Sequence, residues 1–292
     1  MLELLRSKVG RLIIGGHRGA EGYAPENTMA SFKKALETGA DIIEFDVHLS
    51  KDDRCVLIHD ETLERTTNGR GYIRDYTWAE LSKLEAGSWF DRKNEAELTA
   101  RATGELISAA PNYQLLPIPT EKFAGEPIPL LEEVLEWAKS VGILVSIELK
   151  APWPFYCGLD FYPGMVEKVL DLVDRYGDEE ATSIHSFDHR MMLHCKELNP
   201  NIATLVSYGG AIFVDPLGPV RAAKANGYAI GSYWISPELI EASHAEEICV
   251  FGWGLANDPL NEATDLRRLV AMGVDFVSAG YPDLVRKAVE DC

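Results

Sequence analysis

The run Ile42-Ile43-Glu44-Phe45-Asp46-Val47-His48-Leu49 is apolar and β-branched, yet it carries acids at alternate positions. A strand sends successive side chains to opposite faces, so Glu44 and Asp46 share one face and Phe45 and Val47 the other. In a closed barrel one face points to the surrounding helices and the other inward. An inward pair of carboxylates repels itself unless a cation or a proton is present. Spacing alone leaves a second reading open, in which both acids are solvated residues at a strand end.

Working outward, seven more short apolar runs of this kind alternate with helical patterns, the signature of βαβ units on a parallel sheet. The strands are expected near Leu12–Gly16, Ile42–Leu49, Ile143–Lys150, Ala181–His185, Ile202–Ser207, Ala229–Trp234, Ile248–Trp253 and Phe276–Ala279. Helices are expected near Thr28–Thr38, Leu130–Ser140, Gly164–Tyr176, Asp188–Leu198, Pro216–Asn226, Pro237–Ser243, Asn261–Met272 and Pro282–Val289. Eight of each predict an α/β fold of the (β/α)8 TIM-barrel type, in preference to an open doubly wound sheet. The 292 residues suit one such domain.

The connection from Lys51 to Pro129 is far longer than a βα loop requires and must carry structure of its own. Cys55–His59 reads as an extra short strand and Glu95–Ile107 as helix. The part from about 60 to 128 is expected to cap the active-site face of the barrel.

With 46% apolar residues and charges spread along the chain, the sequence describes a globular enzyme. A formal net charge of −18 disfavours nucleic acid and passive adsorption to anionic membranes, because neither finds clustered Lys and Arg here. An acidic protein still binds an anionic substrate where a cation and a few basic groups reverse the local field. Five scattered cysteines form no zinc or disulfide pattern, and neither a signal peptide nor a transmembrane run is evident. A cytoplasmic protein without stable membrane association is expected.

A third acid, Glu148, shares one face of its strand with Ser146 and Lys150. Three carboxylates with no soft ligand favour a hard divalent cation, Mg²⁺ or Ca²⁺. Lys150 beside Glu148 is equally read as a buried ion pair. His17 and His59 each follow an apolar run, where a barrel strand gives out onto its active face, and two such imidazoles suit acid and base roles near neutral pH. His48 lies further out on the Glu44 face and is read as structural. His185, His189, His194 and His244 have no comparable support.

The segments His17-Arg18-Gly19, Pro25-Glu26-Asn27-Thr28, Glu44-Phe45-Asp46-Val47, His59-Asp60 and Arg65-Thr66-Thr67 resemble, in order and spacing, the signature of the glycerophosphodiester phosphodiesterase family. Ala86-Gly87-Ser88-Trp89-Phe90, Glu148-Leu149-Lys150 and Ser186-Phe187-Asp188 extend the likeness over nearly the whole chain. The resemblance implies that Glu44, Asp46 and Glu148 bind one divalent cation, that His17 and His59 are the acid–base pair, and that Arg18 and Lys150 contact phosphate. Trp253 falls where the family places an aromatic near the substrate. The implied activity is hydrolysis of small glycerophosphodiesters to glycerol 3-phosphate and an alcohol. Two stretches depart from the family pattern: Phe251-Gly252-Trp253-Gly254-Leu255 and Ser278-Ala279-Gly280-Tyr281-Pro282-Asp283. Both bear on the substrate pocket. A phospholipase D-like activity on lysophospholipids or sphingolipids is the alternative, with the aromatic segment from Pro152 to Tyr162 as an acyl or choline site. A barrel that binds phosphodiesters without turnover is a third reading, one expected to lack a histidine or a ligand.

Overall fold

The strand at Ile42–Leu49 forms over its full expected length and is buried throughout. A computed structural model describes residues 12–103, 116–151, 162–209, 213–253 and 263–290. Along the chain, β1 is Ile13–Gly16, α1 Met29–Glu37, β2 Ile42–Leu49, β3 Cys55–Leu57, α2 Trp78–Leu81, α3 Ser88–Thr103, α4 Leu131–Val141 and β4 Leu144–Leu149. There follow α5 Met165–Tyr176, β5 Thr182–Ser186, α6 His189–Leu198, β6 Ala203–Ser207, α7 Gly218–Ala222 and β7 Gly227–Gly231. The chain continues with α8 Pro237–Ala245, β8 Cys249–Trp253, α9 Ala263–Met272, β9 Phe276–Ala279 and α10 Pro282–Glu290.

Strands β1, β2 and β4 to β9 are parallel, and the β1–β2 and β1–β9 pairings close them into a ring of eight. This is the (β/α)8 barrel expected from the sequence. The short β3 pairs antiparallel with the far end of β2, Val47 opposite Leu57 and Leu49 opposite Cys55. Helices cover the outside by burying one face, as α5 buries Met165, Val166, Val169 and Val173 at three- and four-residue spacing.

Inside the ring, an apolar plug fills the lower layer: Ile13, Ile42, Leu144, Leu205, Ala229, Cys249, Phe251 and Phe276. Phe251 and Phe276 stack with centroids 4.0 Å apart. Gly15 is required here, since a Cβ on it would lie 2.4 Å from the Phe276 ring. The plug makes the barrel a packed core with a single polar mouth, at the carboxyl ends of the strands.

The connection after β2 does carry structure. Val56, Ile58, Leu63, Ile73, Leu81, Ala86, Ile128 and Leu130 form a small apolar cluster of their own. Asp91 of α3 accepts from the Phe123 and Ala124 amides, and Glu126 accepts from Ala30 at the start of α1 at 3.0 Å, tying the insertion to the barrel. The expected helix at Glu95–Ile107 begins earlier, at Ser88, and residues 104–107 lie outside those described. The aromatic stretch at 152–161 also lies outside; Tyr162 is buried with its hydroxyl 2.7 Å from His48 Nδ1.

Two further elements differ from expectation. The α7 helix is shorter than Pro216–Asn226, because Lys224 enters the left-handed region at φ 51° and breaks it. Likewise β7 runs from Gly227 to Gly231, and the expected Ser232–Trp234 end is a 3₁₀ turn anchored where Arg268 donates to the Ile235 carbonyl.

Candidate active site

At the mouth of the barrel lies a cleft of about 550 Å³, counting the part open to solvent. It is lined by His17, Arg18, Glu44, His59, Glu148, Lys150, His185, Phe187, Ser207, Ala229, Phe251, Trp253 and Ser278. Seven of the eight residues singled out in the sequence therefore share one cavity. The eighth, Asp46, is buried behind it.

The β2–β4 register sets the acids. Glu44 lies opposite Ser146, and Asp46 lies opposite Glu148. The Lys150 ammonium stands between the latter pair, 3.2 Å from Asp46 Oδ1 and 2.8 Å from Glu148 Oε1. Burial alone would raise both carboxyl pKa values, but Lys150 holds both below the ordinary range. Burial would likewise lower that of Lys150, yet Asp46 and Glu148 raise it to about 12. The ion-pair reading of Lys150 is thus realised, in the same cleft as the acids.

Residues 17 to 28 wrap around Asp46 and Glu44. Arg18 adopts φ 51°, a strained conformation for a residue with a Cβ, and its N–H donates to Glu44 Oε2 at 3.1 Å. Its guanidinium reaches Glu26 at 2.8 Å and Asp46 at 3.4 Å. Asn27, also left-handed at φ 56°, clamps Asp46 from both sides: its amide nitrogen donates to Oδ2 at 2.7 Å and its oxygen accepts from the Asp46 N–H at 3.1 Å. Thr28 then caps α1 by accepting from Ser31 N.

Both predicted histidines sit on carboxylates. His17 Nδ1 is 2.6 Å from Glu21 Oε1, and His59 Nδ1 is 2.7 Å from Asp60 Oδ1. Such a partner orients the ring, leaving Nε2 of each imidazole for proton exchange. Burial works against a charged His17, but Glu21 prevails and raises its pKa to about 9. Behind His59, Arg65 of the insertion binds Asp60 through Nε at 2.7 Å and Glu26 through Nη1 at 2.6 Å. The insertion thereby braces one histidine and, through Glu26, the Arg18 guanidinium. No residue between 60 and 128 lines the cleft among the described residues.

His48 is buried between the Tyr162 hydroxyl and the His59 carbonyl, and burial lowers its pKa to about 4, a structural histidine as expected. His185 is different. It was given no role in the sequence, yet it projects into the cleft with its Nε2 3.6 Å from Glu44 Oε1. Among the described residues, the group able to hold a metal ion is Glu44, Glu148 and His185, each offering one ligand atom within 4.8 Å of the others. Buried carboxylates and an imidazole nitrogen with no hydrogen-bond partner are donors that fit a divalent cation. Nothing in the local sequence marks His185, because its acidic neighbours come from other strands. Trp253 also lines the cleft, with its buried indole Nε1 lacking a partner among the described residues.

A barrel that gathers acids, two carboxylate-backed histidines, an arginine and a lysine at its open end has the make-up of a phosphoester-cleaving enzyme. The chain belongs to the glycerophosphoryl diester phosphodiesterase family, whose model matches residues 17–284. It is 34% identical to a glycerophosphodiester phosphodiesterase of Caldanaerobacter subterraneus over 95% of this chain and 99% of that one. A Bacillus subtilis glycerophosphodiester phosphodiesterase is 33% identical over 95% of this chain and 86% of that one. Among solved structures, an Agrobacterium tumefaciens glycerophosphodiester phosphodiesterase superimposes with a TM-score of 0.72 at 28% identity, covering 94% of this chain and 99% of that one. An Oleispira antarctica phosphodiesterase, in complex with its product sn-glycerol-3-phosphate, gives 0.77 at 24% identity, covering 97% and 99%.

Proposed function

We propose that this chain hydrolyses small glycerophosphodiesters to glycerol 3-phosphate and an alcohol, with one divalent cation at Glu44, Asp46 and Glu148. The observation that carries the reading is one cleft holding both carboxylate-backed histidines beside Arg18, Lys150, Glu44 and Glu148. The family and the named relatives supply the substrate class. When bound, the cation neutralises charge on the phosphoryl oxygens. Three carboxylates alone favour Mg²⁺ or Ca²⁺.

Arg18 and Lys150 bind the phosphodiester oxygens and offset the charge that builds on them. Each is held in place by carboxylates before substrate arrives, so little reorganisation accompanies reaction. One histidine takes the proton of the nucleophile, and the other donates a proton to the leaving alkoxide. Each acts through Nε2, with Glu21 or Asp60 fixing its ring. Trp253 and Phe251 form an apolar wall for the organic part of the substrate. The modest cleft favours a compact glycerol moiety over an acyl chain. A reducing, cytoplasmic setting suits the buried cysteines Cys55, Cys195 and Cys249, none of them in a disulfide. No described helix is long and apolar enough to cross a membrane.

The test is a competition at equal concentration between glycerophosphodiesters and lysophospholipids, with Mg²⁺ or Ca²⁺ and then with EDTA. Glycerol 3-phosphate is the expected dominant product, abolished by EDTA. Dominant lysophosphatidic acid would instead establish the phospholipase D-like activity. Glu44→Ala and Glu148→Ala should sharply weaken cation binding by calorimetry, and unchanged affinity in both would show the ligands to be misassigned.

A further inference from the structure

His185 occupies an unusual position for a histidine with no assigned task. It lies on β5 directly opposite Glu148 of β4, and the residue is 4% exposed in a polar layer above the apolar plug. Its Nδ1 is 3.1 Å from Ser207 Oγ. With the Nδ1 proton donated to that hydroxyl, Nε2 presents its lone pair to the cleft. That nitrogen has no hydrogen-bond partner among the described residues and stands 3.6 Å from Glu44 Oε1. A buried polar atom left in this state is costly unless something else satisfies it. Ligand atoms of Glu44, Glu148 and His185 lie within 4.8 Å of one another, a span that one ion closes with small side-chain movements.

A site built from carboxylates alone selects hard cations. Imidazole shifts the balance, because nitrogen donors raise affinity along the first-row divalent series while adding little for Mg²⁺ or Ca²⁺. We infer that His185 Nε2 is a ligand of the active-site ion, and that the site therefore prefers a first-row transition divalent cation to Mg²⁺ or Ca²⁺. The inference rests on the reading that this cleft holds a divalent cation, and it changes which ion that is. The Ser207 hydroxyl is the outer partner that fixes the tautomer.

Mn²⁺ is the probe, because its unpaired electrons report directly bonded nitrogen. The full chain, stripped with EDTA and reloaded, is examined by pulsed electron paramagnetic resonance, and its affinities for Mn²⁺, Mg²⁺ and Ca²⁺ are measured by calorimetry. The expected result is a directly bonded ¹⁴N in the wild type and a Mn²⁺ Kd at least about tenfold below those for Mg²⁺ and Ca²⁺. His185→Gln should lose the nitrogen signal and weaken Mn²⁺ by at least about tenfold, the lower bound for disturbing even an outer partner of a metal ligand. Absence of bound Mn²⁺, absence of ¹⁴N coupling in the wild type, or coupling retained in His185→Gln overturns the inference. The wild-type spectrum decides the matter even if the variant misfolds. Nitrogen-bound Mn²⁺ without turnover of any glycerophosphodiester would sink the proposed substrate but keep His185 as a ligand. Mg²⁺-supported hydrolysis with no nitrogen coupling would do the reverse.

Discussion

Replacing Arg65 by Met removes the residue through which the insertion braces the active site. Its guanidinium makes two contacts with Glu26, at 2.6 and 2.8 Å, and two with Asp60, at 2.7 and 2.9 Å. Glu26 is 7% exposed, and burial alone would raise its pKa; the Arg65 hydrogen bonds, then Arg18, bring it down from 4.5 to about 2. A shift of that size is worth roughly 3 kcal/mol at neutral pH. Arg18 supplies part of it, and the Arg65 side chain is 41% exposed and screened by solvent, so its share is about 1–2 kcal/mol. In a chain of this length that lowers Tm by roughly 2–3 °C.

The sign of the pH dependence follows from the direction of the shift. Glu26 has a depressed folded pKa, so its contribution is complete above 4.5 and is lost as pH falls toward about 2. The gap in Tm between wild type and Arg65→Met should therefore be full at pH 7 and should shrink steadily below pH 4.5. Thermal unfolding followed by circular dichroism across pH 3–7, with the variant beside the wild type, measures it. A gap below about 1 °C at pH 7, or one of equal size at pH 7 and pH 3, would refute the electrostatic brace. Because Arg65 also stands behind His59 and Arg18, turnover in the variant should fall by up to about a hundredfold, the scale of slight misplacement of catalytic groups.

His17→Ala and His59→Ala should each cost about two orders of magnitude or more in turnover, with fold and metal binding intact. Because a good leaving group needs no acid, bis-p-nitrophenyl phosphate should rescue one of the two much more than the other; equal defects on both substrates would end the division of roles. Gly87→Ala should destabilise the chain by about 3 kcal/mol or more, because overpacking here meets unyielding backbone. A Cβ there would lie 1.6 Å from the Phe123 carbonyl oxygen, so a urea midpoint equal to wild type would show that the insertion relaxes around it.

Strand periodicity is local, and for that reason much of the site was legible in the chain itself. The two-residue repeat put Glu44 with Asp46 and Ser146 with Glu148 and Lys150 on common faces, and those faces are the inward ones. His17 and His59 were readable as strand-end residues because the apolar runs before them stop there. The hydrogen-bonded order of the strands is a long-range matter, and no local pattern contains it. His185 looked like any histidine in Thr182-Ser183-Ile184-His185-Ser186 until β5 closed beside β4 and set it opposite Glu148. Glu26, Asn27, Asp60 and Arg65 were visible as family motifs without tasks. Their tasks exist only across turns and between segments: Asn27 on Asp46 over 19 residues, Arg65 on Glu26 over 39. Side-chain direction along a strand is set by neighbouring peptide units, whereas the partner a charged group finds depends on which distant segments the hydrophobic core has brought beside it.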